Sequence, residues 1–302
     1  MKSFKVACLC LTAFFITSCL KKVVPPPKAP VIKNQTQIRT TRHFSDIEFD
    51  GDLDVVIKRS RKGSSLSLKG DSRDLAFITS TVKDGKVSVD IPDHYLKHGP
   101  VSATVYVNKI NRFSFNGNGN ISGKQLKSSD MSLLLYVNGK VDLSGDLELS
   151  ELKVTGKNTV MLKGVHSSSL DITMNASSDI NMQGVVKLEH LKFGGSGKLA
   201  LHWIDSPDLT VEGHGDVKVY LGGIARFLHA TTYDKSELDA RYLRSMKVYV
   251  KAFDYSLIRV ISSKELNAFA VGNGHINYYQ SPRLRAEHMV QNGAILNFVQ
   301  YR

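Results

Sequence analysis

The sequence has very little cysteine, and this scarcity limits the chemistry open to the protein. Its three cysteines, Cys8, Cys10 and Cys19, all lie within the first 19 of 302 residues. We expect the first two to be removed with a leader and the third to carry a lipid, which leaves no free thiol. Disulfide bonds, thiolate catalysis and cysteine metal sites are then excluded together. The fold must be held by burial and backbone hydrogen bonds.

Long hydrophobic runs are also lacking. The apolar run over residues 6–16 covers 11 residues, which as a helix would reach about 16 Å, roughly half of a hydrocarbon core. Lys2 and Lys5 precede the run, and this layout predicts a secretory signal over residues 1–18. Ile16-Thr17-Ser18-Cys19 resembles the lipobox of bacterial lipoproteins, which implies a lipid on Cys19. Leu20 follows the cysteine in place of aspartate, so we expect the outer membrane as the destination. The alternatives are an ordinary cleaved signal or an uncleaved anchor.

Proline is scarce outside one short segment. Four of the eight prolines lie in residues 20–42, together with several lysines and arginines. Consecutive prolines favour an extended, semi-rigid chain, so we expect residues 19–42 to form a lipidated Pro/Lys-rich tether. Its positive charge favours an anionic lipid surface, although many solvated linkers are equally basic.

Helical periodicity is missing, and a shorter repeat takes its place. From residue 113 onward an apolar-x-apolar pattern alternates with turns rich in Gly, Asn or Ser, and the repeat measures 18–20 residues. Its copies start at Leu152, Leu170, Leu191, Leu209, Val248, Leu266 and Leu284, with a degenerate coil in the gap after Leu209. Alternation indicates short strands, and this period indicates a solenoid. We expect an all-β, single-stranded parallel β-helix, right-handed by default, with irregular coils and a cap over residues 43–112 and regular coils over 113–302.

Three segments, in this order, carry a resemblance to a known family. They are FSDIEFDG (44–51), TSTVKDGKVSVDI (79–91) and VGNGHINYYQSPRLRAEHMVQNGAI (271–295), with Gly-x-Gly turns between them. Together they resemble the GIN-domain family, also described as the putative autotransporter adhesin head domain. The resemblance implies an adhesin-like module and brings no catalytic residue with it. The family's Gly-Ser-Gly-Asp turns are replaced here at residues 155–158, 175–178 and 233–236, which weakens a uniform ladder of ligand-binding turns.

Two short clusters have residue types that could carry chemistry. His202, Trp203 and Asp205 combine a ring that can stack on a sugar with an acid–base pair, but neighbouring residues of an extended strand face opposite ways. Asp50, Asp52 and Asp54 alternate and could hold calcium, yet a ring of six to eight oxygen ligands is not evident. We therefore expect no catalytic residue, no metal site and no cofactor, and calcium at residues 50–54 stays an open question.

One column of the repeat, at the residue after each turn, carries both signs of charge. We place in it Asn120, Lys140, Thr159, Asp179, Lys198, Asp216, Glu237 and His275. Opposite charges on neighbouring coils are typical of a solvated face. Val211, in contrast, alternates with polar neighbours and is expected to point into the stack.

Charge of one sign is in excess. The formal net charge is +12, and loss of Lys2 and Lys5 with the signal leaves +10. Such a surface attracts polyanions, or is simply a basic soluble surface. We select Lys58, Arg59, Arg61 and Lys62 as contacts for an anionic partner, which could be an acidic glycan, lipopolysaccharide or an envelope protein, and not nucleic acid.

The sequence thus predicts a non-catalytic, membrane-anchored binding or scaffold module. A carbohydrate-active β-helix enzyme, lyase-like or hydrolase-like, and a purely structural envelope protein are the alternatives.

Overall fold

The structure is a computed structural model that describes residues 34–94, 97–279, 285–291 and 294–300. The signal over residues 1–18, Cys19 and the chain up to residue 33 lie outside the described residues. One predicted boundary is wrong. We expected the tether to reach residue 42, but Asn34–Thr40 is a strand that pairs with another strand of the sheet.

Fifteen strands and one short helix make up the described chain. They are Asn34–Thr40 (β1), Asp46–Asp50 (β2), Asp54–Arg59 (β3), Ser65–Asp71 (β4), Ser72–Phe77 (α1), Thr79–Lys83 (β5), Lys86–Asp90 (β6), Ser102–Val107 (β7), Ile110–Asn118 (β8), Ile121–Gly213 (β9), Asp216–Thr232 (β10), Glu237–Ala252 (β11), Leu257–Val271 (β12), His275–Tyr279 (β13), Arg285–Gln291 (β14) and Ile295–Val299 (β15). Among the described residues, no helix has the length and hydrophobicity needed to cross a bilayer.

The predicted parallel solenoid is confirmed, with about nine turns. Its coils stack in parallel register, and one column of the stack consists of Leu199, Val219, Leu238, Ile258, Ile276 and Leu296. Successive members of this column are 18 to 20 residues apart, as the repeat predicted. Because each strand alternates inward and outward residues, these aliphatic side chains fill the interior while their neighbours face water.

The coil that we expected to be degenerate is regular. Leu228 lies in register with Leu209 on one side and with Val248 on the other, and it is buried. The turn that follows contains no glycine. Asp234 takes the left-handed conformation there, with φ of 59°, and aspartate tolerates that region better than most residues. The sequence signal was weak because aspartate replaces the usual glycine.

The N-terminal section mixes antiparallel and parallel strand pairs. Strand β4 pairs antiparallel with both β1 and β7, and β5 pairs antiparallel with β6. Strand β3, by contrast, pairs in parallel with β7 on one side and with β9 on the other. The section therefore joins an antiparallel layer to the first parallel coils.

Some corners of the coil require glycine. Gly184 has φ of 144°, and a Cβ atom there would lie 1.7 Å from the carbonyl oxygen of Val165. Gly223 has φ of 125°, and its Cβ would lie 2.1 Å from the carbonyl oxygen of Ile204. Both the backbone conformation and the approach of the coil below exclude a side chain. Such corners let β9, which contains Gly184, and β10, which contains Gly223, continue as strands around the coil.

Candidate functional site

A trough runs across the coils on the outer face of one parallel sheet. One part has a volume of about 530 Å³ and is lined by residues that include Met161, Asn181, Ala200, His202, Tyr220, Gly222, Asp239 and Tyr242. The adjoining part, of about 510 Å³, is lined by Asn138, Gly139, Lys157, Asn158, Ser177, Ser178, Ser196 and Gly197. Thr159 and Asp179 line both parts. We call the two parts together the trough.

The trough exists because small residues occupy positions where other coils carry large ones. Ala200 lies in register with Tyr220, and Gly222 lies in register with Tyr242. Outward residues at these positions stand roughly perpendicular to the sheet. In each of these two columns a small side chain next to a tyrosine therefore leaves a depression beside the ring.

Two tyrosines form the aromatic end of the trough. Tyr242 is 67% exposed, and the guanidinium carbon of Arg241 lies 5.8 Å from its ring centre. The Lys198 ammonium lies 4.8 Å from the centre of the Tyr220 ring. Cations at these distances are attracted by the negative face of an aromatic ring, so both rings are held in defined positions.

Asp239, on the floor of this end, is held by arginines. Its carboxylate is 3% exposed and accepts hydrogen bonds from Arg241 Nε at 2.9 Å and Arg241 Nη2 at 2.6 Å. Burial raises the pKa of Asp239, but the hydrogen bonds and charge of Arg241, with the charge of Arg259, outweigh it and leave the pKa below its ordinary value. Asp239 therefore stays ionised and bonded to Arg241, so its role is to hold the floor of the trough in place.

Two oxygen atoms of trough residues lack a partner. Among the described residues, the side-chain oxygens Asn158 Oδ1 and Asn181 Oδ1 are buried without a hydrogen bond. The orientation of Asn158 is fixed because its Nδ2 donates to the carbonyl oxygens of Val137, at 2.9 Å, and Thr155, at 3.1 Å. An unsatisfied buried acceptor costs about 1–3 kcal/mol. Asn181 lines one part of the trough and Asn158 the other, so both unpaired oxygens belong to its walls.

Comparison with known families identifies the chain. It matches the family described as "Putative auto-transporter adhesin, head GIN domain" over residues 43–220 and 165–282. The chain belongs to this family. No curated protein matches the GIN-domain chain.

Solved structures resemble the GIN-domain chain at low sequence identity. A putative lipid binding protein from Parabacteroides distasonis has 14% identity and a TM-score of 0.47, with 88% of this chain and 96% of that chain covered. A putative adhesin from the same organism has 17% identity and a TM-score of 0.47, with 88% and 97% covered. A putative adhesin from Parabacteroides merdae has 15% identity and a TM-score of 0.44, with 88% and 96% covered.

The four basic residues selected from the sequence lie on the surface of the GIN domain. Lys58, Arg59, Arg61 and Lys62 are all exposed. Lys58 and Arg59 end strand β3, whereas Arg61 and Lys62 follow in a turn. We call these four residues the basic cluster. Lys58 is in register with Lys124 on β9, so the cluster begins next to the first parallel coils.

The three aspartates near residue 52 are engaged in hydrogen bonds along the stack. Asp50 Oδ1 accepts from Asn116 Nδ2 at 2.8 Å, and Asp54 Oδ1 accepts from the backbone nitrogen of Asn120 at 2.8 Å. Asp52 likewise accepts from the backbone and side chain of Asn118 and from Lys97. Among the described residues, no group of three or more His, Cys, Asp or Glu side chains could hold a metal ion. These aspartates therefore join neighbouring coils.

The ladder that begins at Asp52 continues from coil to coil. Asn138 Nδ2 donates to Asn118 Oδ1 at 2.9 Å, and Asn138 Oδ1 accepts from the backbone nitrogen of Lys157 at 2.9 Å. Asn138 thus connects the coil before it to the coil after it. The asparagine side chain is well suited to such bonds because it carries both a donor and an acceptor.

The cluster around Trp203 divides between two places. His202 lines the trough and Trp203 does not, so the two rings do not share one pocket, as expected. Both are nevertheless exposed, and Trp203 is 63% exposed, because the chain bends at this corner and the register shifts between Leu221 and Gly223 of the next coil. Trp203 therefore does not cover the core.

One member of the predicted charge column is wrong. Lys218, and not Asp216, lies in register with Lys198 and with Glu237.

Sequence reasoning also missed Tyr242, Asn158 and Asn181 as trough residues. The signal in the sequence was the residue that directly follows an inward-facing one. His202, Gly222 and Tyr242 have this place in successive coils. Its meaning depends on the small neighbours, which a single coil does not reveal.

Proposed function

We propose that this chain is a non-catalytic, adhesin-like binding module of the cell envelope that holds an anionic polymer through the basic cluster. We also propose that a lipid on Cys19 anchors it to the membrane, by the resemblance of residues 16–19 to a lipobox. Membership of the GIN-domain family supports the adhesin-like role. The expected partners are acidic glycans, lipopolysaccharide or other envelope components.

The observation that carries this proposal is the juxtaposition of like charges. Lys58 and Lys124 lie in register on adjacent parallel strands, and both are exposed. Like charges on neighbouring strands repel each other and destabilise the pair. A bound polyanion would relieve this repulsion, so the same arrangement that costs stability in the free protein favours an anionic ligand.

The arrangement of trough carboxylates favours binding over catalysis. Asp239 is held by Arg241, whereas Asp179 is exposed. Glycoside hydrolysis ordinarily needs two carboxylates that flank one bond and are free to take the roles of acid and of nucleophile or base. A carboxylate fixed by an arginine is poorly suited to either role.

Polyanion binding can be tested on the full chain in neutral detergent micelles. We expect inorganic polyphosphate to bind and its affinity to fall steeply between low and moderate salt, because exposed charges are screened over about 8–10 Å there. Replacing Lys58, Arg59, Arg61 and Lys62 by serine should weaken binding without lowering the melting temperature.

A matched control removes the same charge elsewhere. Arg226, Lys235, Lys251 and Lys264 are exposed residues of later coils, and their replacement by serine should have the smaller effect. Equal weakening by the two quadruple variants would show that net charge alone governs binding. Binding that ignores salt would contradict the electrostatic proposal.

A further inference from the structure

The trough is long, and its residues come from successive coils. Lining positions on six coils are represented by Gly139, Thr159, Asp179, Lys198, Tyr220 and Asp239. Five coil-to-coil steps correspond to roughly 24 Å. An open cleft of this length that crosses the strands suits a linear chain lying along the solenoid axis better than a compact small molecule.

The two unpartnered acceptors define what such a chain must supply. Asn158 is 7% exposed, and its amide cannot turn over without placing Oδ1 against the two carbonyl oxygens that Nδ2 now contacts. Asn158 Oδ1 therefore needs a donor from outside, and Asn181 Oδ1 also lacks a partner. Hydroxyl groups repeated along a polymer provide donors at several points of the trough.

The tyrosine end adds a surface for sugar rings. Tyr242 is largely exposed, and its neighbour in the adjacent coil is Gly222, so no side chain at that position covers the approach to the ring. The C–H face of a pyranose is apolar and carries slight positive charge, so it packs well on the negative face of an aromatic ring. Hydroxyls at the ring edge remain free to bond to polar groups.

The charges around the trough select among glycans. Lys157 and Lys198 are exposed trough residues and outnumber Asp179, whose exposed carboxylate also lines the trough. Ammonium groups bind carboxylates more strongly than neutral hydroxyls. A glycan with carboxylate-bearing sugars therefore fits this face better than a neutral one.

We propose that the trough binds a linear glycan that contains carboxylate-bearing sugars, with hydroxyls donating to Asn158 and Asn181 and a ring packed on Tyr242. This inference rests on the proposed function and gives it a defined site and ligand class. An extended acidic peptide is the competing occupant.

The test compares four probes on the full chain in neutral detergent micelles. They are a short hyaluronan oligosaccharide, a neutral cello-oligosaccharide, inorganic polyphosphate and a polyglutamate peptide. The trough variants are Tyr242→Ala and Asn181→Leu. The matched control is Tyr255→Ala, because Tyr255 is also 67% exposed but does not line the trough.

We expect hyaluronan to bind more tightly than the cello-oligosaccharide. Each trough variant should lower the affinity for hyaluronan by roughly tenfold, which corresponds to the loss of one good contact. Tyr255→Ala should bind like the unaltered chain, and polyphosphate affinity should be the same in all three variants. Asn181→Leu should not lower the melting temperature, since it removes an unpaired buried oxygen. A purely structural role for Asn181 would give the reverse pattern, with stability lost and hyaluronan affinity kept.

Several outcomes would overturn the trough proposal. They are failure to bind either glycan, unchanged hyaluronan affinity in Tyr242→Ala, or a trough-dependent affinity for polyglutamate and not for hyaluronan. The proposed function fails separately, if polyphosphate binding is absent or is insensitive to salt and to the basic cluster. The cello-oligosaccharide detects the trough even in that case, because its binding needs no charge.

Discussion

Val211 offers a direct test of which residues face the interior. Its side chain is 1% exposed, and it lies in register with Ala230 of the next coil, while Thr210 and Glu212 on either side are exposed. We expect Val211→Asp to unfold the domain. The change places a carboxylate among the aliphatic side chains that fill the stack, where nothing can pair with it.

The magnitude follows from two contributions. Loss of the buried valine side chain lowers the free energy of unfolding by about 1.5–3 kcal/mol. An unpaired carboxyl group in the interior lowers it by several kcal/mol more, even if the group takes up a proton. The free energy of unfolding of a typical domain is only about 5–15 kcal/mol. Because each coil is stabilised by its neighbours, damage at this coil also removes support from the coils on both sides.

The assay combines urea unfolding, followed by circular dichroism, with limited proteolysis. Thr210→Asp is the matched control, because it adds the same carboxylate one residue away on the outer face, and Asp216→Asn is a second exposed control. Both should unfold like the unaltered chain. Recovery of folded, protease-resistant Val211→Asp protein would refute the inside–outside assignment of the strand.

Two further predictions concern the anchor and the ion pair below the tyrosines. Cys19→Ser should abolish both fatty-acid labelling and partition into membranes, because lipid chains supply the anchoring; label retained by the serine variant would rule out a lipid on Cys19. Asp239→Asn should lower stability at pH 7 by more than it does at pH 2, because the pKa of Asp239 is held below its ordinary value. A carboxyl whose folded pKa is depressed contributes stability above its unfolded pKa of about 3.9 and loses it as the pH falls through the folded value. Urea unfolding at both pH values would show it, and an equal loss at both would contradict it.

The period and the interior of the solenoid could be predicted from the sequence because both depend on local patterns. Alternation around Val211 determines which residue faces inward, and repetition of that pattern determines the number of residues in each coil. Leu228 fits the same pattern. It was missed because its turn uses aspartate in place of glycine, so the usual marker of the corner was absent.

The trough could not be predicted because it depends on how coils align. Shifts of register at the corners, such as the one between Leu221 and Gly223, change which outer residues become neighbours. Lys218 replaced Asp216 in the charge column because the Gly-x-Gly motifs of the two coils are offset, with Gly197 in register with Val217 and not with Gly215. The pairing of β1 was also hidden, since NQTQIRT lacks apolar alternation and joins β4 through its backbone.

The Asp52–Asn118–Asn138 ladder and the aliphatic column both connect each coil only to its neighbours. A whole coil could therefore be gained or lost without rebuilding the rest of the chain, provided that the cut falls at equivalent positions of the repeat. Each such change would lengthen or shorten the trough by one step, about 4.8 Å. Duplication of a segment of 18 to 20 residues would then change, in fixed steps, the length of polymer that could lie along the solenoid.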